Sequence, residues 1–220
     1  MNWKAIFFDL DGTLVETAPE IADAVNDTLR YFDWPAVYQS EVDRWIGHGT
    51  RELLIQALAK VNAQSVAEVR QGDLLREALP IFDRYYQQRC GTRSVLYPHV
   101  RETLSHLREL GCRLAVVTNK EERYTETVLQ AHFLKSNFDL VVSGDSYSCK
   151  KPDPVGVNEA LARWRIAPKD ALFVGDSSID AATARNAGIS VWLLPYGYNM
   201  GQPVQACQPD RVIVDFSELI

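Results

Sequence analysis

Six short apolar runs recur along the chain, and each one stops at a polar residue, a glycine or a proline. The runs occupy residues 5–8, 113–117, 138–142, 171–174, 190–194 and 211–214. Unbroken apolarity over so few residues is typical of strands that are buried on both faces of a parallel sheet. Stretches with helical periodicity lie between the runs, at 99–110, 124–133, 153–164 and 180–187. This alternation predicts an α/β fold, a Rossmann-like parallel sheet core with helices on both faces.

Residues 16–89 interrupt the alternation of strands and helices. They contain helical patterns at 19–32, 40–46, 51–61 and 67–87 and no convincing strand pattern. At 220 residues the chain is long for a single core and short for two full-sized domains. We therefore predict an α/β core formed by residues 1–15 and 90–220, with an inserted all-α helical cap domain at 16–89.

The charge balance and the cysteines narrow the class of protein. Lys and Arg number 23 against 29 Asp and Glu, which gives a formal net charge of −6. Nucleic acids and anionic membranes bind basic surfaces, so an acidic chain is a poor general partner for either. The four cysteines form no CxxC pair and no cluster with histidine, which favours reduced thiols. Because the apolar runs are too short for a signal peptide or a membrane span, we expect a cytoplasmic protein that binds neither nucleic acid nor membrane.

Four aspartates follow two of the predicted strands. Asp9 and Asp11 follow the first run, and Asp176 and Asp180 follow the run at 171–174. Ligands of open α/β sheets bind outside the carboxyl ends of the strands, so these carboxylates converge if their strands are neighbours. Clustered carboxylates need a compensating cation, and a few oxygen ligands with room for water favour Mg²⁺ over Ca²⁺. The alternative is a structural role, with Asp9 and Asp11 in a turn and Asp180 as the N-cap of the next helix.

Three further polar residues are candidates for binding an anion. Thr118 and Asn119 end the second run, and Lys151 lies in the loop after the third run, directly before Pro152. A hydroxyl and an amide can donate hydrogen bonds to anionic oxygens, and a lysine can hold a phosphate beside a metal–carboxylate site. The alternatives are ordinary turn chemistry for Thr118 and Asn119 and a solvated surface position for Lys151.

These motifs resemble those of a known family. The segment Asp9-Leu10-Asp11-Gly12-Thr13-Leu14-Val15 resembles the DxDGT nucleophile motif of the haloacid dehalogenase superfamily. Thr118, Lys151-Pro152 and Gly175-Asp176 with Asp180 are similar to its second, third and fourth motifs, in the expected order. Segments 45–49, 150–154, 173–177 and 196–199 resemble the phosphoglycolate phosphatase branch, which carries a helical (C1-type) cap. The resemblance covers the whole chain.

The resemblance implies a role for each motif residue. Asp9 would attack phosphorus and form an aspartyl-phosphate, and Asp11 would act as general acid and then general base. Mg²⁺ would be held by Asp9, the main-chain carbonyl of Asp11 and Asp176, with Asp180 in support. The groups expected to bind the phosphoryl oxygens are Gly12, Thr13, Thr118, Asn119 and Lys151.

Two residues of the predicted cap are candidates for recognising the rest of the substrate. His48 and Arg51 could meet a carboxylate or a second polar group, and the forked guanidinium of Arg51 suits two carboxylate oxygens. The alternative is that both are ordinary solvated surface residues.

The activity implied is a Mg²⁺-dependent phosphatase acting on a small phosphorylated metabolite, with 2-phosphoglycolate hydrolysed to glycolate and phosphate as the first choice. Alternatives on the same scaffold are a nucleotidase, a pyrophosphatase and a β-phosphoglucomutase-like enzyme. A dehalogenase is disfavoured because it would need neither Asp11 as an acid nor a metal. A non-catalytic binding protein is a more distant alternative, since fold does not imply function. The sequence is compatible with a monomer or a homodimer.

Overall fold

A parallel β-sheet lies at the centre of the computed structural model, which describes residues 3–220. The strands are β1 (Ala5–Phe8), β2 (Val15–Glu16), β3 (Val95–Leu96), β4 (Arg113–Val117), β5 (Leu140–Val142), β6 (Ala171–Gly175), β7 (Ser190–Leu193) and β8 (Arg211–Val212). Six of them form one sheet in the order β5-β4-β1-β6-β7-β8, and all its pairs are parallel. Phe8 pairs with Val116 on one side and with Val174 on the other, so β1 lies between β4 and β6.

Nine α-helices and four short 3-10 helices are seen in residues 3–220. The α-helices are α1 (Ala18–Tyr31), α2 (Gln39–Val42), α3 (Thr50–Val61), α4 (Val66–Gln71), α5 (Asp73–Arg89), α6 (Val100–Glu109), α7 (Glu122–Ala131), α8 (Val155–Trp164) and α9 (Ser178–Ala187). The first five pack on one another, with α1 along α5 and α3 against α4 and α5. The other four alternate with the strands of the sheet.

Side chains of β1 alternate between two cores, as the period of a strand requires. Ile6 and Phe8 face a core that includes residues of α6 and α7, whereas Ala5 and Phe7 face one built with α8 and α9. All four are fully buried. Helices therefore cover both faces of the sheet, and the predicted α/β fold with an inserted helical segment is confirmed.

Three element boundaries differ from the predictions, each for a local reason. The run at 138–142 enters the sheet only at Leu140, because the carboxylate of Asp139 accepts the Leu114 N–H at 3.0 Å. The helix predicted at 67–87 is two helices, α4 and α5, which meet at Gly72 in an extended conformation (ψ 168°). The helix predicted at 40–46 is regular only over α2, after which Trp45 N–H donates to Val42 in a tighter turn.

A two-stranded antiparallel ribbon was missed by the sequence analysis. It pairs β2 with β3, with Val15 opposite Leu96, and joins the two chain segments that lead into and out of helices α1–α5. Two residues per strand are too few to give an alternating pattern. Of the predicted limits of the cap, residue 16 lies in β2 and residue 89 is the last residue of α5; the limits stay a prediction.

No helix within residues 3–220 combines the length and the apolarity that a bilayer crossing needs.

The four thiols differ in burial, which leads to a testable ranking of reactivity. All four are free; Cys90 and Cys112 are buried and Cys149 is exposed. Burial raises the pKa of Cys90 to about 12 and that of Cys112 to about 11, so their thiolate fractions at pH 8 are small. We expect an aromatic disulfide reagent to modify Cys149 in the fast phase, and Cys149→Ser to remove that phase. Cys90 and Cys112 should react only after denaturation, and their rapid modification in the native protein would contradict this ranking.

Candidate active site

The carboxyl ends of β1, β4 and β6 bring three of the predicted site residues together. Asp9, Thr118 and Asp176 directly follow these adjacent strands and line one cavity. Lys151 reaches the same point from the loop after β5, where its Nζ lies 2.9 Å from Asp9 Oδ1. The apolar wall opposite the strand ends consists of Ile21, Ile46 and Leu53 from the helical segment.

Lys151 joins two of the buried carboxylates. Its Nζ contacts Asp9 Oδ1 at 2.9 Å and Asp180 Oδ1 at 2.7 Å, and all three residues are buried. Burial alone would lower the pKa of Lys151, but the charges of Asp180 and Asp9 outweigh it and raise the pKa. Lys151 is therefore a fixed ammonium group beside Asp9, and the alternative of a solvated surface lysine is excluded.

Asp180 supports the site through hydrogen bonds. Its Oδ2 accepts the Asp176 N–H at 3.1 Å, the Ser177 N–H at 3.1 Å and the Ser177 hydroxyl at 2.7 Å. The N-cap of α9 is Ser177, so the structural alternative that placed Asp180 at the N-cap is wrong. Asp180 is the third residue of the helix and completes a capping box with Ser177. This geometry fixes both Lys151 and the loop that carries Asp176.

Asp176 is held by the segments that carry Thr13 and Tyr198. The Thr13 hydroxyl donates to Asp176 Oδ1 at 2.7 Å, and the Tyr198 N–H donates to Oδ2. Gly12 passes closely, since a Cβ there would lie 2.5 Å from Asp176 Oδ2, and its φ of +81° favours glycine. The Gly12 N–H donates to Val15 O at 2.9 Å. Gly12 and Thr13 thus shape the position of Asp176, and their predicted role in phosphate binding stays a prediction.

Thr118 and Asn119 hold the loops around the cavity. Asn119 Nδ2 donates to Gly47 O at 2.9 Å and to Lys151 O at 3.1 Å, and its Oδ1 accepts the Lys151 N–H at 2.8 Å. The amide of Asn119 therefore links the helical segment to the loop of Lys151. Thr118 Oγ1 accepts the Lys120 N–H at 3.2 Å, which leaves its hydroxyl hydrogen available to a ligand.

Lys120 is a site residue that the sequence analysis missed. Its Nζ lies 2.8 Å from Asp11 Oδ1 and 2.9 Å from Asp11 Oδ2, and the Thr17 hydroxyl donates to Asp11 Oδ1 at 2.7 Å. Burial would lower the pKa of Lys120, but the charge of Asp11 outweighs it and raises the pKa. The sequence offered one indication of this role, namely that Lys120 directly follows Thr118-Asn119 at the end of a predicted strand.

His48 and Arg51 do not line the cavity that holds Asp9, Thr118 and Asp176. Both are exposed, and His48 lines an outer cavity that adjoins the active site, since Asn119 and Lys151 line it too. The loop turns its glycines toward the inner cavity instead, since Gly47 and Gly49 line it. Substrate recognition by His48 and Arg51 stays a prediction.

The carboxylate cluster has the charge and chemistry of a divalent cation site. One oxygen from each of Asp9, Asp176 and Asp180 lies within 4.8 Å of the others, and all three residues are buried. When all three are ionised, they outnumber the single ammonium of Lys151 by two negative charges. Burial raises the pKa of Asp9 to about 7, and burial together with the charges of Asp180 and Asp9 raises that of Asp176 well above its usual range. Two uncompensated charges on oxygen ligands fit Mg²⁺.

Comparison with known proteins agrees with the geometry. Residues 6–194 match the family model of haloacid dehalogenase-like hydrolases. The chain belongs to this family. It is 38% identical to the phosphoglycolate phosphatase of Vibrio vulnificus over 217 residues, 99% of this chain and 94% of that protein. It is 41% identical to the phosphoglycolate phosphatase of Nitrosospira multiformis over 215 residues, 98% and 93% of the two chains.

A solved structure supports the same conclusion. The crystal structure of a predicted phosphoglycolate phosphatase from Haemophilus somnus has a TM-score of 0.91 and 33% identity, and the match covers 100% of this chain and 97% of that one. This haloacid dehalogenase-like hydrolase is a phosphomonoester hydrolase. The predicted family and enzyme class are confirmed.

Proposed function

We propose that this hydrolase is a Mg²⁺-dependent phosphatase for a small phosphorylated metabolite, and that 2-phosphoglycolate is its preferred substrate. The observation that carries the mechanism is the buried contact of Lys151 with Asp9 and Asp180, beside the carboxylate of Asp176. The choice of substrate rests on the relatives. They are phosphoglycolate phosphatases, and this chain matches them over nearly their whole length.

The contacts of the Asp9 carboxylate suit a nucleophile. Its Oδ1 accepts the Leu10 N–H at 2.7 Å and contacts Lys151 Nζ at 2.9 Å, which leaves Oδ2 to attack phosphorus. As the Asp9–phosphorus bond forms, the bond from phosphorus to the ester oxygen breaks. The product of this step is an aspartyl-phosphate, which divides one difficult displacement into two easier ones. Lys151 stays beside the reacting oxygens and stabilises their negative charge.

Asp11 moves the protons. In the first step its carboxyl group gives a proton to the departing alkoxide. In the second step the resulting carboxylate takes a proton from the water that attacks the aspartyl-phosphate. The phosphorus–Asp9 bond then breaks, and phosphate and the original carboxylate of Asp9 are released. The hydroxyl of Thr118, which lines the same cavity, would donate to a phosphoryl oxygen in both steps.

Mg²⁺ would be held by Asp9, the main-chain carbonyl of Asp11 and Asp176. When bound, it lets an anionic carboxylate and an anionic phosphate approach each other. Asp180 would support these ligands through its hydrogen bonds, because its two oxygens are engaged by Lys151 and by the loop of Asp176 and Ser177.

The small size of the cavity supports a small substrate. Its free volume is about 30 Å³, which is room for about two water molecules. We expect a short phosphate ester to enter by movement of the helical segment away from the strand ends. A substrate that is enclosed again after entry must be short, and enclosure would keep bulk water from the reaction.

Phosphate release from a panel of esters tests the proposed substrate. We expect kcat/KM for 2-phosphoglycolate to exceed that for nucleoside monophosphates, sugar phosphates and pyrophosphate by at least ~10-fold, because enclosure penalises larger groups. A preference for a nucleotide or for pyrophosphate would overturn the substrate. Conversion of β-glucose 1-phosphate to glucose 6-phosphate would indicate a mutase. No turnover of any ester would contradict the proposed activity and favour a binding protein.

A further inference from the structure

Lys120 is a buried cation to which the proposed mechanism gives no role. Lys120 lies in the loop between β4 and α7, and its side chain is only 1% exposed. Its ammonium group contacts both oxygens of Asp11, at 2.8 and 2.9 Å. A buried ammonium group is costly unless it is paired, so this geometry ties the position of Lys120 to the carboxylate of Asp11.

The backbone of Lys120 is fixed on several sides. Its N–H donates to Thr118 Oγ1, and its carbonyl accepts the Gly144 N–H at 2.7 Å and the Thr125 hydroxyl at 3.2 Å. The ammonium group also lies 5.2 Å from the centre of the Tyr86 ring, which comes from α5. A side chain that is normally flexible is thereby restricted to one place.

Asp11 receives a third contact from the start of the helical segment. The Thr17 hydroxyl donates to Asp11 Oδ1 at 2.7 Å, one residue before α1 begins. With Lys120 on both oxygens and Thr17 on one, the plane and the direction of the carboxylate are set by its neighbours. Oδ2 accepts from Lys120 and not from Thr17, so it keeps a lone pair for the proton that a general acid carries. Proton transfer needs this fixed geometry, because the acid must stay within hydrogen-bond reach of the leaving oxygen.

We propose that Lys120 is a positioning residue for Asp11, which it holds in place for proton transfer to the leaving group with help from Thr17. This inference rests on the proposed phosphatase activity. Lys120 acts through Asp11, so its removal affects the steps in which Asp11 moves a proton. It differs from Lys151, which contacts the nucleophile.

The leaving group separates this role from direct phosphate binding. The alkoxide of 2-phosphoglycolate needs a proton when it departs, whereas acetate from acetyl phosphate and 4-nitrophenolate from its phosphate ester are stable anions. Because kcat/KM reports the steps up to leaving-group departure, loss of the general acid lowers it for the alkyl ester alone. Loss of a phosphate ligand would lower it for all the compounds and raise KM.

The test compares Lys120→Met with wild-type enzyme on 2-phosphoglycolate, acetyl phosphate and 4-nitrophenyl phosphate, with Mg²⁺ present. We expect kcat/KM for 2-phosphoglycolate to fall ~10²-fold, mainly through kcat, and the values for the other two compounds to fall less than ~5-fold. The exposed Lys169→Met is the matched control and should behave as wild type. Equal losses on all three compounds, or a loss confined to KM, would overturn the proposal.

A second pair of variants covers the case in which Lys120→Met does not fold, as circular dichroism would show. Thr17→Val removes the hydroxyl that contacts Asp11 and should lower kcat/KM for the alkyl ester ~10-fold, whereas Thr17→Ser should retain it. Equal effects of valine and serine, or an equal loss on all three compounds, would also overturn the proposal.

If wild-type enzyme released phosphate from none of the three compounds, the proposed function itself would fail. If wild-type enzyme is active and the variants show no leaving-group dependence, only the role of Lys120 is wrong.

Discussion

Replacement of Asp9 by asparagine is expected to abolish phosphate release, with kcat reduced by at least ~10⁴-fold. Asparagine keeps the size of the side chain and can still accept the Leu10 N–H, but its amide nitrogen is a poor nucleophile. Lys151 keeps its second partner, Asp180, at 2.7 Å, so its ammonium group is not left unpaired. The measurement is phosphate release from 2-phosphoglycolate with Mg²⁺ at several enzyme concentrations.

The matched control is Asp33→Asn, at an exposed position between α1 and α2 where φ is +57°. Asparagine tolerates that left-handed conformation, so the control should retain full activity and stability. Rapid acid quenching of wild-type enzyme with ³²P-labelled substrate should leave label on the protein, and Asp9→Asn should carry none. Phosphate release by Asp9→Asn at more than about 1% of the wild-type rate would contradict a role for Asp9 as nucleophile.

The meeting of Asp9, Thr118 and Asp176 could be predicted because two simple rules combine at this point. Short apolar runs indicated parallel strands, and the carboxyl ends of parallel strands share one edge of the sheet. The position of Lys151 needed the family resemblance, because a lysine in a loop is usually solvated. Lys120 was missed for the same reason. Its burial depends on Asp11 and Tyr86, which are 109 and 34 residues away in sequence and meet it only in the folded protein.

The helical segment was harder to predict in detail than the sheet. Helical periodicity places apolar residues on a face, but it does not say where a helix stops when the next one continues the pattern, as α4 and α5 do at Gly72. The loop at 47–49 shows the same limit at the site. Gly47 and Gly49 both have positive φ, at +128° and +92°, and the turn they make leaves His48 exposed. The sequence does not indicate which way the side chain of a histidine between two glycines will point.

The second large effect expected is a strict dependence on Mg²⁺, seen in both activity and stability. Removal of divalent cations with EDTA should lower kcat at least ~10³-fold, because the negative charges of Asp9, Asp176 and the phosphate would repel one another. Mg²⁺ should also raise Tm, since it binds the folded protein and offsets the two excess charges of the cluster. At 100 times its Kd a ligand stabilises by about 2.7 kcal/mol, and for a chain of this size that raises Tm by roughly 5–10 °C.

Asp176→Asn separates a site for Mg²⁺ from a general effect of salt. The variant removes one of the excess charges, and its amide can still accept the Tyr198 N–H and donate to the Thr13 hydroxyl, which can also accept. Without Mg²⁺ it should therefore be at least as stable as wild-type enzyme in EDTA, although it is inactive. Its Tm should not rise with MgCl₂ beyond the change given by NaCl of equal ionic strength.

A variant that is inactive yet no less stable without metal is hard to explain by misfolding. This result is expected if repulsion among the clustered carboxylates destabilises the metal-free protein and a bound cation offsets that repulsion. An equal Mg²⁺-dependent rise of Tm in Asp176→Asn, or full activity of the wild-type enzyme in EDTA, would show that Asp176 holds no required cation. The excess charge would then have to be removed by protonation, in keeping with the pKa of about 7 to which burial raises Asp9. Activity would in that case depend on pH near neutrality and not on the metal.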